Sequence, residues 1–244
     1  MLAVSVVRTA NLRMLQKLSS PFREFGFFAG FVYAIHRLLQ RISPSMKLMF
    51  HDWMVQPIAS EQLLPARFAQ RYRTREIGQE DPLIDGMPIR PEVRISRREQ
   101  RAICLGTFKN EALVGYIWLS SGSYDEDEAR CRYVLTPPNE SIFDFDLYIL
   151  PKYRASLGFA AVWNGTNEYL YRRGVRYSYS RLDHYNRASA SAHDHLGWKR
   201  VGSAVILKLW QIEVMFSSLF PWFFLTFSDE QRPSITLSPD ILND

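Results

Sequence analysis

Residues 142–160 read IFDFDLYILPKYRASLGFA. The stretch from Ile142 to Leu150 is an apolar run of strand length, and Pro151 stops it. After a short turn, residues 156–173 take up a helical period. Phe159, Val162, Trp163, Thr166 and Leu170 lie along one side, and Gly174 closes the helix. A strand that runs through a short turn into a helix leaves the first-turn N–H groups without partners. Together with the helix dipole, those groups favour a phosphate or pyrophosphate. Lys152 and Arg154 put positive charge at the same end, and the small residues Ala155, Ser156, Gly158 and Ala160 let a ligand approach the backbone closely. A basic turn before a helix is also how a solvated cap reads, so this stretch alone decides nothing about function.

The flanking sequence supplies more strands and helices. Residues 47–58 read as a strand ended by Pro57. Residues 102–107 and 113–120 are apolar runs joined by the turn FKNEA, which predicts a hairpin. Further strands are expected at 130–135, 175–181 and 203–212, and a short helix at 187–196 stopped by Gly197. The polar stretch 60–100, with Pro65, Pro82, Pro88 and Pro91, suggests a helix followed by a long, partly ordered connection. Residues 22–42 read as a helix, and the tail after Asp229 is polar and expected to be mobile.

The 244 residues are 47% hydrophobic and 23% charged, ordinary for a soluble globular protein. The net charge of +5 suits an anionic cofactor, an anionic membrane surface or nucleic acid without choosing among them. The basic residues are scattered and no nucleic-acid reading motif accompanies them, so a nucleic-acid partner is not expected. Cys104 and Cys131 form no CxxC pair and read as reduced thiols in a reducing compartment. No apolar segment with a cleavage site follows the first twenty residues, so no secretory signal is expected. Walker, Rossmann and Gly-x-Ser-x-Gly patterns are absent. His184, His193 and His195 with Asp183 and Asp194 suggest a metal, but two histidines two apart on a helix do not share a face; no metal is expected.

A second motif lies about 30 residues beyond the first, across the helix. It runs Asn186, Ser189 three later, His193 seven later, then Gly197-Trp198. With the strand-x-Pro-x-x-Arg turn from Ile149 to Ala160, in this order, it resembles the signature of the GNAT superfamily of acyl-CoA-dependent N-acyltransferases over residues 100–215. The resemblance implies an α/β (α+β) fold, in which helices flank a central, twisted, mixed but mostly antiparallel sheet. It divides the chain into a helical extension (1–46), the acyltransferase domain (47–228) and the polar tail (229–244). The implied activity transfers an acetyl or other acyl group from acyl-CoA to an amine of a small molecule, or of an envelope or polysaccharide precursor.

The roles follow residue by residue. Arg154, Ala155, Ser156, Leu157, Gly158, Phe159 and Ala160, with Lys152, would hold the cofactor pyrophosphate. The strand edge through Leu147 and Ile149 would pair with the pantetheine arm, and Asn186, with Ser189 in the same motif, would bond it. His193 stands where the family often has the tyrosine that protonates the leaving thiolate. Asp144 and Asp146, two apart on one strand, would share a face and help the amine lose its proton. The resemblance implies a substrate cleft opening after the hairpin, which makes Tyr124, Glu126 and Asp127 of the acidic loop there candidates to receive a cationic amine, although a charge run is commonly a solvated loop. The turn departs from the family in placing three residues between Arg154 and Gly158.

Both ends are apolar. Residues 27–35 and 214–227 are too short to span a bilayer, which needs roughly 20 residues. Arg8, Arg13, Lys17 and Arg23 before the first helix and Arg37, Arg41 and Lys47 after it fit a helix lying on an anionic membrane. Packing on the domain body or a homodimer interface is the competing expectation. The localisation expected is cytoplasmic, with a peripheral place at the inner membrane face as the alternative. Two further functional readings stay open: a membrane-associated long-chain acyltransferase using acyl-CoA or acyl carrier protein, and a non-catalytic module.

Overall fold

The computed structural model describes residues 26–242. Arg8, Arg13, Lys17 and Arg23, and the reading of the first twenty residues, lie outside them. The elements in chain order are α1 (Phe27–Ile42), β1 (Met46–Pro57), α2 (Ala66–Ala69), β2 (Arg73–Ile77), α3 (Pro82–Asp85), α4 (Pro91–Glu99), β3 (Ile103–Lys109) and β4 (Ala112–Ser121). There follow β5 (Ser123–Asp125), β6 (Arg132–Leu135), β7 (Ser141–Ile149), α5 (Pro151–Arg154), α6 (Gly158–Tyr171), β8 (Tyr177–Asp183) and α7 (Arg187–Asp194). The chain closes with β9 (Lys199–Leu209), β10 (Ile212–Ser217), β11 (Phe223–Thr226) and β12 (Ser234–Leu237).

Nine strands make one mixed sheet in the order β11-β10-β9-β1-β8-β7-β4-β3-β2. Every neighbouring pair in it is antiparallel except β7 with β8. That exception follows from local sequence: α6 crosses between β7 and β8, and a parallel pair needs such a crossover. Asn110 and Glu111, both at positive φ, close the β3–β4 hairpin in two residues.

Helices and a second sheet cover the main sheet on both faces. On one face Val162, Trp163 and Leu170 of α6 bury Leu105, Ile117, Leu119 and Ile142. On the same face α1 packs on β1, with Phe28 edge-on to Phe50 at 6.0 Å. On the other face a three-stranded sheet, β12-β6-β5, closes the largest cluster, which holds Trp53, Tyr124, Tyr133, Phe143 and Tyr179. Beside it Ile84 and Met87 pack against Trp118.

Two expectations are corrected here. The stretch 60–100 contains β2, which pairs in register with β3. The tail after Asp229 is not loose along its length: β12 pairs in parallel with β6, and Ile235 and Leu237 are fully buried in the largest cluster. Burying two aliphatic side chains outweighs a polar composition. The apolar run 214–227 is a hairpin edge, β10 and β11. Among the described residues no helix is long and apolar enough to cross a membrane.

Candidate functional site

The parallel pair β7–β8 is short. It runs from Ser141↔Tyr177 to Asp144↔Ser180 and stops, although both strands continue. Phe145–Ile149 and Arg181–Asp183 therefore face a gap with no ladder bond across it. On its other side β7 keeps pairing with β4, but its register slips between Phe145 and Tyr148, so two residues of β7 oppose one of β4. Asp146 sits in this bulge at φ 52. A bulge leaves one residue's backbone groups out of the ladder and re-aims its side chain.

The bulge overturns one expectation: Asp144 and Asp146 do not point the same way. Strand alternation would put both on one face, but the extra residue resets it. Asp144 stays on the α6 face, buried, and accepts a 2.6 Å hydrogen bond from the Ser178 hydroxyl. Burial pushes its carboxyl up to about 7, against the lowering by that hydroxyl. Asp146 turns to the opposite face and accepts a 2.9 Å hydrogen bond from Arg97.

On that face Asp146 borders a cleft of about 180 Å³ shared with Arg97, Tyr124, Glu126, Asp127, Glu128, Phe143, Phe145 and Arg181. All three acidic-loop candidates are therefore at the cleft. Tyr124 is a buried ring stacked 4.3 Å from Phe145, and the loop carboxylates are paired rather than solvated. The buried Arg97 guanidinium lies 3.6 Å from Asp127 and stacks over Trp118 at 4.9 Å. Arg181 reaches Glu126 at 3.3 Å, Glu128 at 3.1 Å and Asp183 at 3.0 Å. Burial raises the carboxyls of Glu126 and Asp127, with Arg181 and Arg97 respectively opposing it.

Sequence reasoning missed both arginines. Arg97 sits in a run of arginines with no distinguishing pattern. Arg181 does carry a signal: it shares the inward phase of Tyr179 on β8, and a charge at a core phase asks for partners. His51, on the core phase of Trp53, asks the same question. Among the described residues His51, Glu128 and Asp183 are the one trio close enough to hold a cation, but Arg181 Nη1 already lies 3.0 Å from His51 Nε2 and from Asp183. Of the histidines considered for a metal, His184 is paired with Asp52 at 2.7 Å and stacked on Phe50.

At the other end of β7, α5 makes one turn and α6 begins at Gly158 with Leu157 as its N-cap. No side chain caps it and its first turn holds no acidic residue. The amides of Gly158, Phe159 and Ala160 belong to that uncapped turn, with Lys152 and Arg154 exposed beside it. Arg154 Nε donates to the Ile149 carbonyl at 2.9 Å, tying the turn to the strand end. Ser156 donates back to Tyr153, and Ala155 is exposed. Gly158 answers the chain's own packing: a Cβ there would lie 2.7 Å from the Tyr153 carbonyl. Leu147 and Ile149 pack into the α6 cluster, so what the gap receives from them is backbone.

The second motif has a local explanation. Asn186 is the N-cap of α7, and its Oδ1 accepts from the Ser189 amide at 3.1 Å. Asn followed by a residue three later is what an N-cap requires. His193 is buried, edge-on to Phe159 at 5.3 Å and Trp163 at 5.8 Å. Its Nδ1 bonds the Ser189 carbonyl at 2.7 Å, and burial holds its imidazole below the ordinary value. A neutral imidazole whose one proton is already donated has none to give to a thiolate. Asn186→Ala is expected to cost about 1 kcal/mol through the lost cap and to leave acyl-CoA affinity unchanged. Thermal melts beside calorimetric titration test this, and a weakened titration without a lower melt would restore Asn186 to the ligand.

No family model and no curated protein matches the chain. Among solved structures the chain is similar to a tandem GNAT protein from the clavulanic acid biosynthesis pathway, at 16% identity over 66% of this chain and 53% of that one, TM-score 0.45. It is similar to a GCN5-related glucosamine N-acetyltransferase region of a fungal multi-domain beta-N-acetylglucosaminidase, at 12% identity over 68% of this chain and 22% of that one, TM-score 0.44. It is also similar to a GCN5-related N-acetyltransferase from Kribbella flavida, at 12% identity over 69% of this chain and 61% of that one, TM-score 0.40. The chain thus spans less than two thirds of each. Its fold and cleft stand on its own hydrogen bonds.

Proposed function

We propose that the chain is an N-acyltransferase that moves an acyl group from acyl-CoA to a small cationic amine. The observation that carries this is the parting of β7 and β8 beyond Asp144 and Ser180, between an uncapped helix start and a charged cleft. An extended pantetheine arm can lie along the unpaired edge of β7, as a strand would, with its pyrophosphate on the α6 amides. Backbone left out of the ladder at Asp146 is suited to the thioester oxygen as charge grows on it.

The cleft supports the acceptor class. It sets four carboxylates, Glu126, Asp127, Glu128 and Asp146, against two guanidiniums, an excess of negative charge that attracts a cation. Its volume of about 180 Å³ suits a small amine, or the amino end of a larger molecule such as an envelope or polysaccharide precursor. In the reaction the cationic amine first loses one proton, its nitrogen then bonds the thioester carbon as the C–S bond breaks, and the second proton shed by nitrogen goes to the leaving thiolate. Asp144, at the last paired position beside the gap but on the α6 face away from the cleft, can take the first proton only through water lying in the gap, and its value near 7 lets it both accept and release at neutral pH.

Calorimetric titration with acetyl-CoA, a long-chain acyl-CoA and CoA tests the donor. Binding is expected, and Ala160→Glu is expected to weaken it about tenfold by setting a carboxylate where the pyrophosphate lies. A thioester that binds both proteins equally removes the α6 start from the site. No binding of any thioester would leave a carrier-protein donor or a non-catalytic module.

A further inference from the structure

On the α1 face of the main sheet the cross-strand register carries one row from Phe50 to Val205, Phe216 and Phe223. Residues directly opposite in antiparallel strands share a face. Phe28 of α1 covers the start of this row at Phe50. Its far end lies open: Phe216 and Phe223 are 59% and 53% exposed. At the β10–β11 turn Phe220 and Trp222 stand out further, with Trp222 67% exposed.

The helix beside this row presents a second apolar surface. Phe27, Phe31, Leu38 and Ile42 follow one another at spacings of four, seven and four, so they form a single stripe, and all four are exposed. Two segments some 180 residues apart in sequence thus place aromatic and aliphatic side chains on the same side of the sheet. Within α1 and the hairpin the exposed charge has one sign, while the carboxylates of Glu128 and Asp183 border the opposite side of α1, by Tyr33, His36 and Gln40. α1 contains no carboxylate, and the exposed Arg37 and Arg41 flank its stripe. The single carboxylate in residues 212–227, Glu213, is buried toward the opposite face, where it accepts from the Arg130 amide.

We propose that α1 and the β10–β11 hairpin together form a docking face for an anionic lipid surface. An apolar stripe with arginines at its flank can bury its rings at the acyl boundary while the guanidiniums reach lipid phosphates. Trp222 and its Phe neighbours are the side chains that settle at such an interface. A second copy of the chain is the less fitting occupant, because a two-fold contact would set Arg37 and Arg41 against themselves. In sequence, residues 1–25 hold four basic side chains, Arg8, Arg13, Lys17 and Arg23, against one carboxylate, Glu24.

Co-sedimentation with phosphatidylcholine–phosphatidylglycerol vesicles, and with pure phosphatidylcholine vesicles, tests the face. The full chain is expected to pellet with the first and only weakly with the second. Phe31→Ser with Leu38→Ser, and separately Phe216→Ser with Phe223→Ser, are each expected to lower the bound fraction about tenfold. Arg37→Glu with Arg41→Glu is expected to remove the preference for anionic vesicles. Thermal melts report folding, and Trp222→Ser, at an exposed turn, stands in for any pair that fails to fold. Failure of the unaltered chain to pellet, or equal pelleting with both vesicles, overturns the proposal. A dimer that Phe216→Ser with Phe223→Ser converts to monomer, with no vesicle binding, overturns it in favour of a second copy.

Discussion

Asp144→Asn is expected to lower turnover of an accepted amine by roughly 10²–10⁴-fold, the usual worth of a positioned base, while thioester binding persists. The same change should alter stability in a pH-dependent way. The Asp144 carboxyl lies at about 7 in the folded chain and near 3.8 when unfolded. Between these values the folded chain holds a proton that the unfolded chain has released, so stability falls as pH rises, and the loss is complete above about 7. At 1.36 kcal/mol for each tenfold step in acidity, the full span is on the order of 4 kcal/mol. Asn cannot ionise, yet it can still accept from Ser178. The variant should therefore match the unaltered chain near pH 4 and exceed it at pH 8. Glu126 and Asp127 bend the curve in the same direction, so the difference between the two proteins, and not either curve alone, isolates Asp144. Urea melts across that range and thiol release with a panel of small amines read the two effects separately. Normal turnover with the stability difference present would make Asp144 a buried acid and nothing more. A stability difference that does not change with pH would mean that Asp144 is ionised throughout.

Arg97→Met should produce the largest loss of stability, about 3–5 kcal/mol, since one partner of a buried ion pair disappears. Asp127 and Asp146 would then face each other's charge across the cleft with no guanidinium between them. The rings of Trp118 and Phe145 would lose the cation stacked on them. For a chain of this size such a loss lowers the melting temperature by roughly 10 °C. Combining Arg97→Met with Asp127→Asn and Asp146→Asn should recover part of it, because Met packs against the rings and no bare carboxylate remains. Arg97→Lys keeps the charge but loses the planar fork, and should fall between. A melt within about a degree of the unaltered protein for Arg97→Met would show that water already screens the pair.

Much of this molecule is legible in local sequence. The apolar run from Ile142 to Leu150 ended by Pro151, the hairpin around Asn110 and Glu111, and the side of Val162, Trp163 and Leu170 each depend on residues a few positions apart. Chain neighbours alone set their φ/ψ preferences and period, so strand, turn and helix follow without knowledge of the rest. The uncapped start of α6 and its basic turn were legible for the same reason.

What the sequence could not decide depends on contacts between distant residues. β2 and β12 read as polar connection and tail, and became strands only because β3 and β6 offered them ladders. The Asn186–Ser189 spacing fits both a ligand contact and a helix cap, and the geometry of α7 shows the cap. The bulge that sends Asp146 to the face opposite Asp144 depends on register with β4, not on any residue in β7. Arg97 meets Asp146 across 49 positions, and Arg181 meets Glu128 across 53. Local period fixes which way a side chain leaves its own element. Pairing register and packing decide what it meets, and so whether a carboxylate is solvated, paired, or buried with its proton.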